Sequence, residues 1–216
     1  MYQEHTEMKA LIEDDIKNLC YLGEIPYNVQ LFAVTINLSA IRYIKNPSYG
    51  IQKFVVERAG HLVKFIENPS PEIQLISVET NEFAIEYIKN PTKEVQEYVV
   101  KLDGTLIQYI CDPSLDIQRL ALLQNGDSIQ HIVDPSEDMQ KLAVTQSSYA
   151  LKYILNPTPE IITYAIQQHP SAISHVKKPS LDMQREAIVR DPLAIEFIDK
   201  PTEDMKLLAK ILGYEG

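Results

Sequence analysis

The chain has 216 residues, is 45% hydrophobic and carries a formal net charge of −10, so it holds enough apolar side chains for a sizeable core. It lacks the basic excess with which proteins bind phosphates, which disfavours generic DNA or RNA binding. No apolar run approaches the ~18 residues of a membrane span, and the acidic start of the chain does not resemble a secretory signal. With Cys20 and Cys111 far apart in the sequence, these features predict free thiols in a cytoplasmic protein.

The chain is predicted to have three parts within a single domain. Residues 1–24 are predicted to form an N-terminal cap, because Glu7–Leu22 carries apolar residues at helical spacing. Residues 25–202 form a repeat array, and residues 203–216 are predicted to add a C-terminal capping helix. Such caps are expected because a stacked repeat buries its apolar side only against its neighbours.

The array is defined by prolines that recur every 22 residues, the strongest internal periodicity in the chain. They are Pro47, Pro69, Pro91, Pro113, Pro135, Pro157, Pro179 and Pro201. Pro26 lies 21 residues before Pro47, and its unit returns to phase by Gln30.

A first helix, helix A, is predicted to begin just after each of these prolines. A Ser or Thr follows the proline, as in Ser70 and Thr92, and such hydroxyls cap the first turn of a helix. Carboxylates come next, where they complement the helix dipole. Apolar residues four, seven and eight positions after the proline then form one helix face, with small residues at the last of these positions.

Glycines or prolines end helix A in several units. Gly60, Gly104 and Gly126 are predicted to take the left-handed conformation of a C-cap. His169-Pro170 and Asp191-Pro192 are predicted to start a new helix instead.

A second helix, helix B, is predicted to have about seven residues, with two isoleucine-rich columns three residues apart that face the core. One column includes Ile129 and the other Ile132. A column of rings lies between them and comprises Tyr43, Phe65, Tyr87, Tyr109, His131, Tyr153, His175 and Phe197. Asn or Asp usually precedes the next proline, and this pair ends helix B.

Two helices in 22 residues make a unit shorter than tetratricopeptide, ankyrin or HEAT repeats. The Pro-Ser/Thr-x-x-apolar-Gln start and Ile-x-x-Ile end resemble very short α-solenoid repeats, the variant leucine-rich and related HEAT-like repeats of unknown function in bacteria, phages and large viruses. The resemblance covers about residues 25–212. It implies an all-α fold, a right-handed α-solenoid of about eight two-helix repeats with capping helices at both ends, and a helix B that is partly 3₁₀.

Three further columns have both a structural and a functional interpretation. The glutamines, including Gln74, either bond the backbone of the repeats or offer amides to an extended ligand. The rings either pack between repeats or line a groove for a partner. The carboxylates at the helix A starts either complement helix dipoles, in pairs such as Asp138–Lys141, or meet a basic partner.

The best candidates for contact with a partner are a freely varying polar column on helix B and the rings beside it. The candidates are Arg42, Lys64, Glu86, Gln108, Gln130, Lys152, Tyr87, Tyr109 and Tyr153. Side chains that vary within a strict repeat are expected to face solvent or a partner.

No motif for phosphate binding, nucleophilic catalysis or metal binding is present, so no catalytic residue, metal site or cofactor is predicted. His131 and His175 lie two repeats apart, too far to share a metal ion. The chain is therefore expected to be a non-catalytic protein–protein interaction module. The resemblance implies a phage or bacterial inhibitor that blocks a host protein, such as a defence component. The alternatives are a HEAT-like protein that processes nucleic acids and an enzyme whose site cannot be recognised.

Overall fold

The computed structural model describes residues 2–216, with side chains from Thr6 onward. The described chain is helical throughout and contains no strand. The α-helices are α1 Tyr2–Asp14, α2 Tyr27–Ile36, α3 Tyr49–Val56, α4 Pro71–Thr80, α5 Lys93–Leu102, α6 Leu115–Gln124, α7 Glu137–Gln146, α8 Ala150–Tyr153, α9 Pro159–Gln168, α10 Leu181–Arg190 and α11 Glu203–Ile211. The 3₁₀ helices are η1 Ile16–Tyr21, η2 Leu38–Tyr43, η3 Gly60–Phe65, η4 Glu82–Tyr87, η5 Gly104–Tyr109, η6 Gly126–His131, η7 Pro170–His175 and η8 Pro192–Phe197.

The chain divides into two compact units, unit 1 with Met1–Val99 and Tyr109–Asp112, and unit 2 with Val100–Gln108 and Pro113–Gly216. In unit 1, the long helices α1, α2, α3 and α4 pack in chain order, as do the short helices η1, η2, η3 and η4. In unit 2, the order is α6, α7, α9, α10 and α11 for the long helices, and η6, α8, η7 and η8 for the short ones. Within each unit, this packing of one repeat on the next confirms the predicted all-α, solenoid-like repeat fold.

Helix A begins as the proline and hydroxyl pattern predicts. The Ser70 hydroxyl accepts a hydrogen bond from the Ile73 N–H at 3.4 Å, and Thr158 accepts one from Ile161 at 3.3 Å. Ser48 is the exception, since its hydroxyl is buried and has no hydrogen-bond partner among the described residues. The small residues eight positions after each proline are all fully buried, namely Val55, Ser77, Val99, Ala121, Ala143, Ala165, Ala187 and Ala209.

Helix B is a six-residue 3₁₀ helix in all but one repeat, where α8 replaces it. A residue in extended conformation separates it from helix A, and its side chain usually caps helix B. Asn81 Oδ1, for example, accepts the N–H of Phe83 at 3.1 Å. Asn37, Asp103, Asn125 and Asp191 cap helix B in the same way, whereas no side chain caps α8. This capping position recurs every 22 residues, and of its capping residues Asp191 alone was predicted to start a new helix.

The prediction that Gly60, Gly104 and Gly126 take a left-handed conformation is wrong, because Gly213 is the one glycine with positive φ in the described chain. Each of the three starts a 3₁₀ helix and lies against the backbone of the next helix A. A Cβ at Gly60 would lie 2.2 Å from the Ser77 carbonyl oxygen, and one at Gly126 would lie 2.2 Å from that of Ala143. These glycines therefore permit close approach between repeats rather than a left-handed turn.

The left-handed conformation occurs instead where helix B meets the next proline. Asn or Asp usually occupies this position, and both tolerate positive φ better than most residues. The residues with positive φ are Asn46, Asn68, Asp112, Asp134, Asn156 and Lys200. Each lies immediately before the proline that opens the next repeat.

The N-terminal segment, expected as one helix over Glu7–Leu22, forms the two helices α1 and η1. Asp15 separates them in extended conformation and accepts the Lys17 N–H at 2.9 Å. This is the same break that separates helix A from helix B in the repeats. At the other end, α11 lies within the segment predicted as the C-terminal capping helix.

Candidate protein-interaction surface

The geometry of the 3₁₀ helix decides which side chains of helix B face solvent. With three residues per turn, residues three apart lie above one another. In η2, Ile41 and the adjoining Ile44 are buried, Ala40 and Tyr43 form a side that is buried to half-buried, and Arg42 is exposed. The polar column therefore points outward because the isoleucines on one side of it are buried and the rings on the other side are partly buried.

Every predicted contact residue of the polar column is exposed. In unit 1 these are Arg42, Lys64 and Glu86, and in unit 2 they are Gln108, Gln130 and Lys152. Their side chains are therefore accessible to solvent or to a partner. Hereafter, the exposed polar column and the adjacent rings of the same unit are called the helix-B surface.

The rings are partly buried, so they can both pack between repeats and contact a partner. Tyr87 is 40% exposed and Phe197 is 47% exposed, while Tyr109 and Tyr153 are half-buried. One side of each ring packs within the repeats, and the remainder is available for contact. The Glu86 carboxylate and partial burial raise the pKa of Tyr87, so its hydroxyl stays protonated at neutral pH.

In unit 1, cations and rings alternate along the helix-B surface. The Arg42 guanidinium carbon lies 5.4 Å from the ring centre of Tyr43 and 5.2 Å from that of Phe65 in the next repeat. Lys64 Nζ lies 5.2 Å from Phe65 and 5.3 Å from Tyr87 in the repeat after it. At these distances a cation is attracted to the ring face, so each cation bridges two successive repeats.

Unit 2 contains one related cluster. Lys152 Nζ lies 5.7 Å from the Tyr149 ring and 5.9 Å from the Tyr153 ring. The ring centre of Tyr149 also lies 4.6 Å from that of His175 in the next repeat, with the two ring planes tilted by 56°. Tyr149 was not among the predicted contact residues, because its position holds polar and apolar residues alike in other repeats and shows no pattern in the sequence.

Ion pairs follow a different distribution from these cation–ring contacts. Lys53 pairs with Glu72 at 3.0 Å, and Arg190 pairs with Glu186 at 2.6 Å. Both cations belong to helix A. Lys141 also forms an ion pair on helix A. The sequence predicted Asp138 as its partner, but Lys141 pairs with Glu137 at 2.6 Å. In the part of the chain that the structure describes, the helix-B cations form no ion pair with a carboxylate.

A groove lies between the ends of successive B helices in each unit. The unit 1 groove has a volume of about 580 Å³ and includes Lys64, Tyr87 and Lys89, with Gln74 in its lining. The unit 2 groove has a volume of about 400 Å³ and includes Lys152, His175 and Ile162 at the corresponding place. Both grooves border the helix-B surface.

The glutamine side chains form hydrogen bonds with the backbone of the repeats, which is the structural one of their two interpretations. Gln74 Nε2 donates to the Pro69 carbonyl at 3.1 Å, and Oε1 accepts the N–H of Thr92 in the next repeat at 3.0 Å. Gln30 forms the same two kinds of bond, to Ile25 and from Ser48. These amide groups are already hydrogen-bonded to the backbone, so they are not available to an extended ligand.

The structure also bears on metal binding and membrane insertion. Among the residues it describes, no group of three or more His, Cys, Asp or Glu side chains could hold a metal ion. No described helix is long and apolar enough to cross a membrane. Burial lowers the pKa of both His131 and His175, which keeps these rings uncharged at neutral pH.

Comparison with known proteins adds no family assignment, since no family model, curated protein or solved structure matches the chain. The resemblance to very short α-solenoid repeats therefore rests on the repeat motif, together with the helical repeat fold.

Proposed function

We propose that the chain is a non-catalytic repeat protein of the variant leucine-rich or HEAT-like type that binds another protein through its helix-B surface. The observation that carries this proposal is the row of exposed cations over half-exposed rings. Arg42 and Lys64 each contact rings of two repeats, and neither is neutralised by a carboxylate of the described chain.

Aromatic residues and arginine are enriched where protein interfaces bind most strongly. Rings held on one side by the repeats have already lost side-chain freedom, so less entropy is lost when a partner covers them. A cation over a ring is also held in place while its remaining donors stay free. This surface is therefore prepared for contact before a partner arrives.

The helix A surface is the weaker candidate. Its cations are largely matched by its own carboxylates, as in the Lys206–Glu203 pair at 2.7 Å, and its first-turn acids complement helix dipoles. A partner would have to break existing pairs to use these charges. We therefore assign the acids on helix A a local role.

The proposed activity is stoichiometric binding that blocks the partner, which includes the inhibitor of a host protein expected from the resemblance. Cations interleaved with rings also occur in proteins that bind single-stranded nucleic acid. The net charge of −10 opposes that alternative, because phosphate binding depends on a local excess of cations. Nucleic-acid binding is treated as an outcome of the test.

The test compares two triple variants with the same change in net charge. The helix-B variant is Arg42→Glu, Lys64→Glu and Lys152→Glu, and the helix A variant is Lys53→Glu, Lys141→Glu and Lys206→Glu. Proteins captured from the native cells by the wild-type chain are identified by mass spectrometry, and the main partner is purified for titration calorimetry. Circular dichroism verifies that each variant is folded.

The helix-B variant is expected to weaken binding by about tenfold or more, equivalent to at least ~1.4 kcal/mol, and the helix A variant to bind nearly as the wild type does. The proposal fails if the helix-B variant binds normally. It also fails if the wild-type chain binds a labelled single-stranded oligonucleotide at micromolar concentration in roughly 150 mM salt.

A further inference from the structure

The groove in unit 2 is basic although the chain as a whole is acidic. Lys152, Lys177 and Lys178 line it together with His175, and its lining contains no Asp or Glu. The corresponding groove in unit 1 has Lys64 and Lys89 but also Glu67. With 30 acidic residues in a chain of 216, a groove bordered by three lysines and no carboxylate is a marked local reversal of charge.

The three lysines are available to a ligand. All three are exposed, and none forms an ion pair within the described chain. Lys152 is held between the rings of Tyr149 and Tyr153, so its ammonium group stays at the rim of the groove. Burial and then Lys152 lower the pKa of His175, while Asp127 opposes them.

Ile162 interrupts the glutamine column and contributes an apolar side chain to the lining of this groove. At the corresponding place in unit 1, the amide group of Gln74 is hydrogen-bonded to the backbone of Pro69, Asn90 and Thr92. In unit 2, Ile162 is half-buried and packs against the core cluster that includes Ile166 and Ile173. Leu155, also in the lining, is 88% exposed. An apolar side chain of a ligand could bury both surfaces.

We propose that this groove binds an acidic segment of a protein partner, with carboxylates toward Lys152, Lys177 and Lys178 and a bulky apolar side chain against Ile162 and Leu155. The proposal rests on the protein-binding function proposed above and assigns its chemical preference. Charge complementarity selects the carboxylates, since exposed lysines without internal partners lose no existing pair on binding. The exposed leucine and the isoleucine select the apolar side chain, because covering them removes apolar surface from water.

Three fluorescein-labelled peptides of equal length test the proposal by anisotropy. One alternates Glu with Leu, one alternates Glu with Ser, and one alternates Lys with Leu. The Glu/Leu peptide is expected to bind about tenfold more tightly than either of the others. Equal binding of all three, or a preference for the Lys/Leu peptide, would overturn the proposal. A labelled oligouridylate of similar length that outcompetes the Glu/Leu peptide would also overturn it.

Two matched variants locate the site. Lys177→Glu with Lys178→Glu is expected to weaken binding of the Glu/Leu peptide by about tenfold or more, because two attractions become repulsions. Lys45→Glu with Lys89→Glu makes the same change in net charge in unit 1 and should leave the affinity within about twofold. If both pairs weaken binding equally, the effect belongs to total charge and the groove is not the site.

Replacement of Ile162 by Gln tests the apolar contact. It introduces the residue that most other repeats carry at this position, and it is expected to remove most of the preference for Glu/Leu over Glu/Ser, with binding of Glu/Ser unchanged. A preserved preference would exclude Ile162 from the site. Partner capture separates this inference from the general function. If the peptides fail while Arg42→Glu, Lys64→Glu and Lys152→Glu together still abolish capture, only the inference about the unit 2 groove is lost.

Discussion

Gln74 and Thr92 lie 18 residues apart in the sequence, yet the side-chain oxygen of Gln74 accepts the backbone N–H of Thr92 at 3.0 Å. Gln74 is 7% exposed, and its amide nitrogen donates to Pro69 and Asn90. One side chain therefore satisfies backbone groups of two successive repeats. Buried backbone groups must find partners, which explains why glutamine recurs at this place.

Replacing Gln74 with Leu is expected to destabilise the protein by about 1–3 kcal/mol, because the Thr92 N–H and the Pro69 carbonyl lose a partner. Urea unfolding followed by circular dichroism measures the change. Gln130→Leu on the exposed column is the control and should change stability by no more than about 0.5 kcal/mol. Equal effects of the two substitutions would contradict the structural role of the glutamine column.

Gly126→Ala is expected to destabilise the protein by about 1–3 kcal/mol, as other overpacked sites do. The new methyl group would lie 2.2 Å from the Ala143 carbonyl oxygen, so the two repeats would have to separate. Gly23→Ala is a matched control, since no atom lies within 4 Å of the added carbon. A thermal melt of both variants decides the matter, and an unchanged melting temperature for Gly126→Ala would show that the contact can relax.

Replacing Ile129 and Ile132 together with Ala is expected to remove about 4–8 kcal/mol of stability, by the cost of emptying buried sites. These side chains are 2% and 7% exposed, and α7 and α8 of the following repeat pack against the helix that contains Ile129. Val133→Ala, at a neighbouring position that is 88% exposed, should have little effect. If denaturant titration shows equal stability for the double variant and the wild type, helix B does not supply the core.

Stability is expected to fall as the pH drops below about 6.5. Burial depresses the pKa of His131 and His175 below the ordinary 6.5 in the folded protein. The unfolded chain therefore takes up protons first, and acid favours unfolding. Stability gained from the neutral rings is present above pH 6.5 and is lost as the pH falls toward the folded-state pKa values.

The double variant His131→Tyr and His175→Phe tests this expectation, because Tyr and Phe occupy the same column in other repeats. Unfolding free energies are measured from about pH 7.5 to 5.5, above the range in which most carboxylates titrate. The variant should show a shallower decline than the wild type. Parallel curves would assign the pH dependence to other groups.

Much of the fold follows from the sequence because a 22-residue period identifies equivalent positions without any coordinates. The prolines, the hydroxyl caps such as Ser70 and the isoleucine columns each have a local physical cause. Local rules were also enough to predict that Arg42 and Lys64 are exposed. They failed at Gly60, where a C-cap and a close contact between repeats both favour glycine.

The remaining structural features depend on contacts between successive repeats. The sequence by itself determined the repeat length, the two helices of each unit and the all-α fold, since these arise from capping, periodicity and helix breakers within a few residues. Only the tertiary structure decided that the Gly126 position faces the Ala143 carbonyl, that Lys64 lies over the ring of Tyr87, and that Ile162 lines a groove bordered by lysines. Those relationships join residues 10 to 23 positions apart, and their geometry is set by how closely successive helices pack.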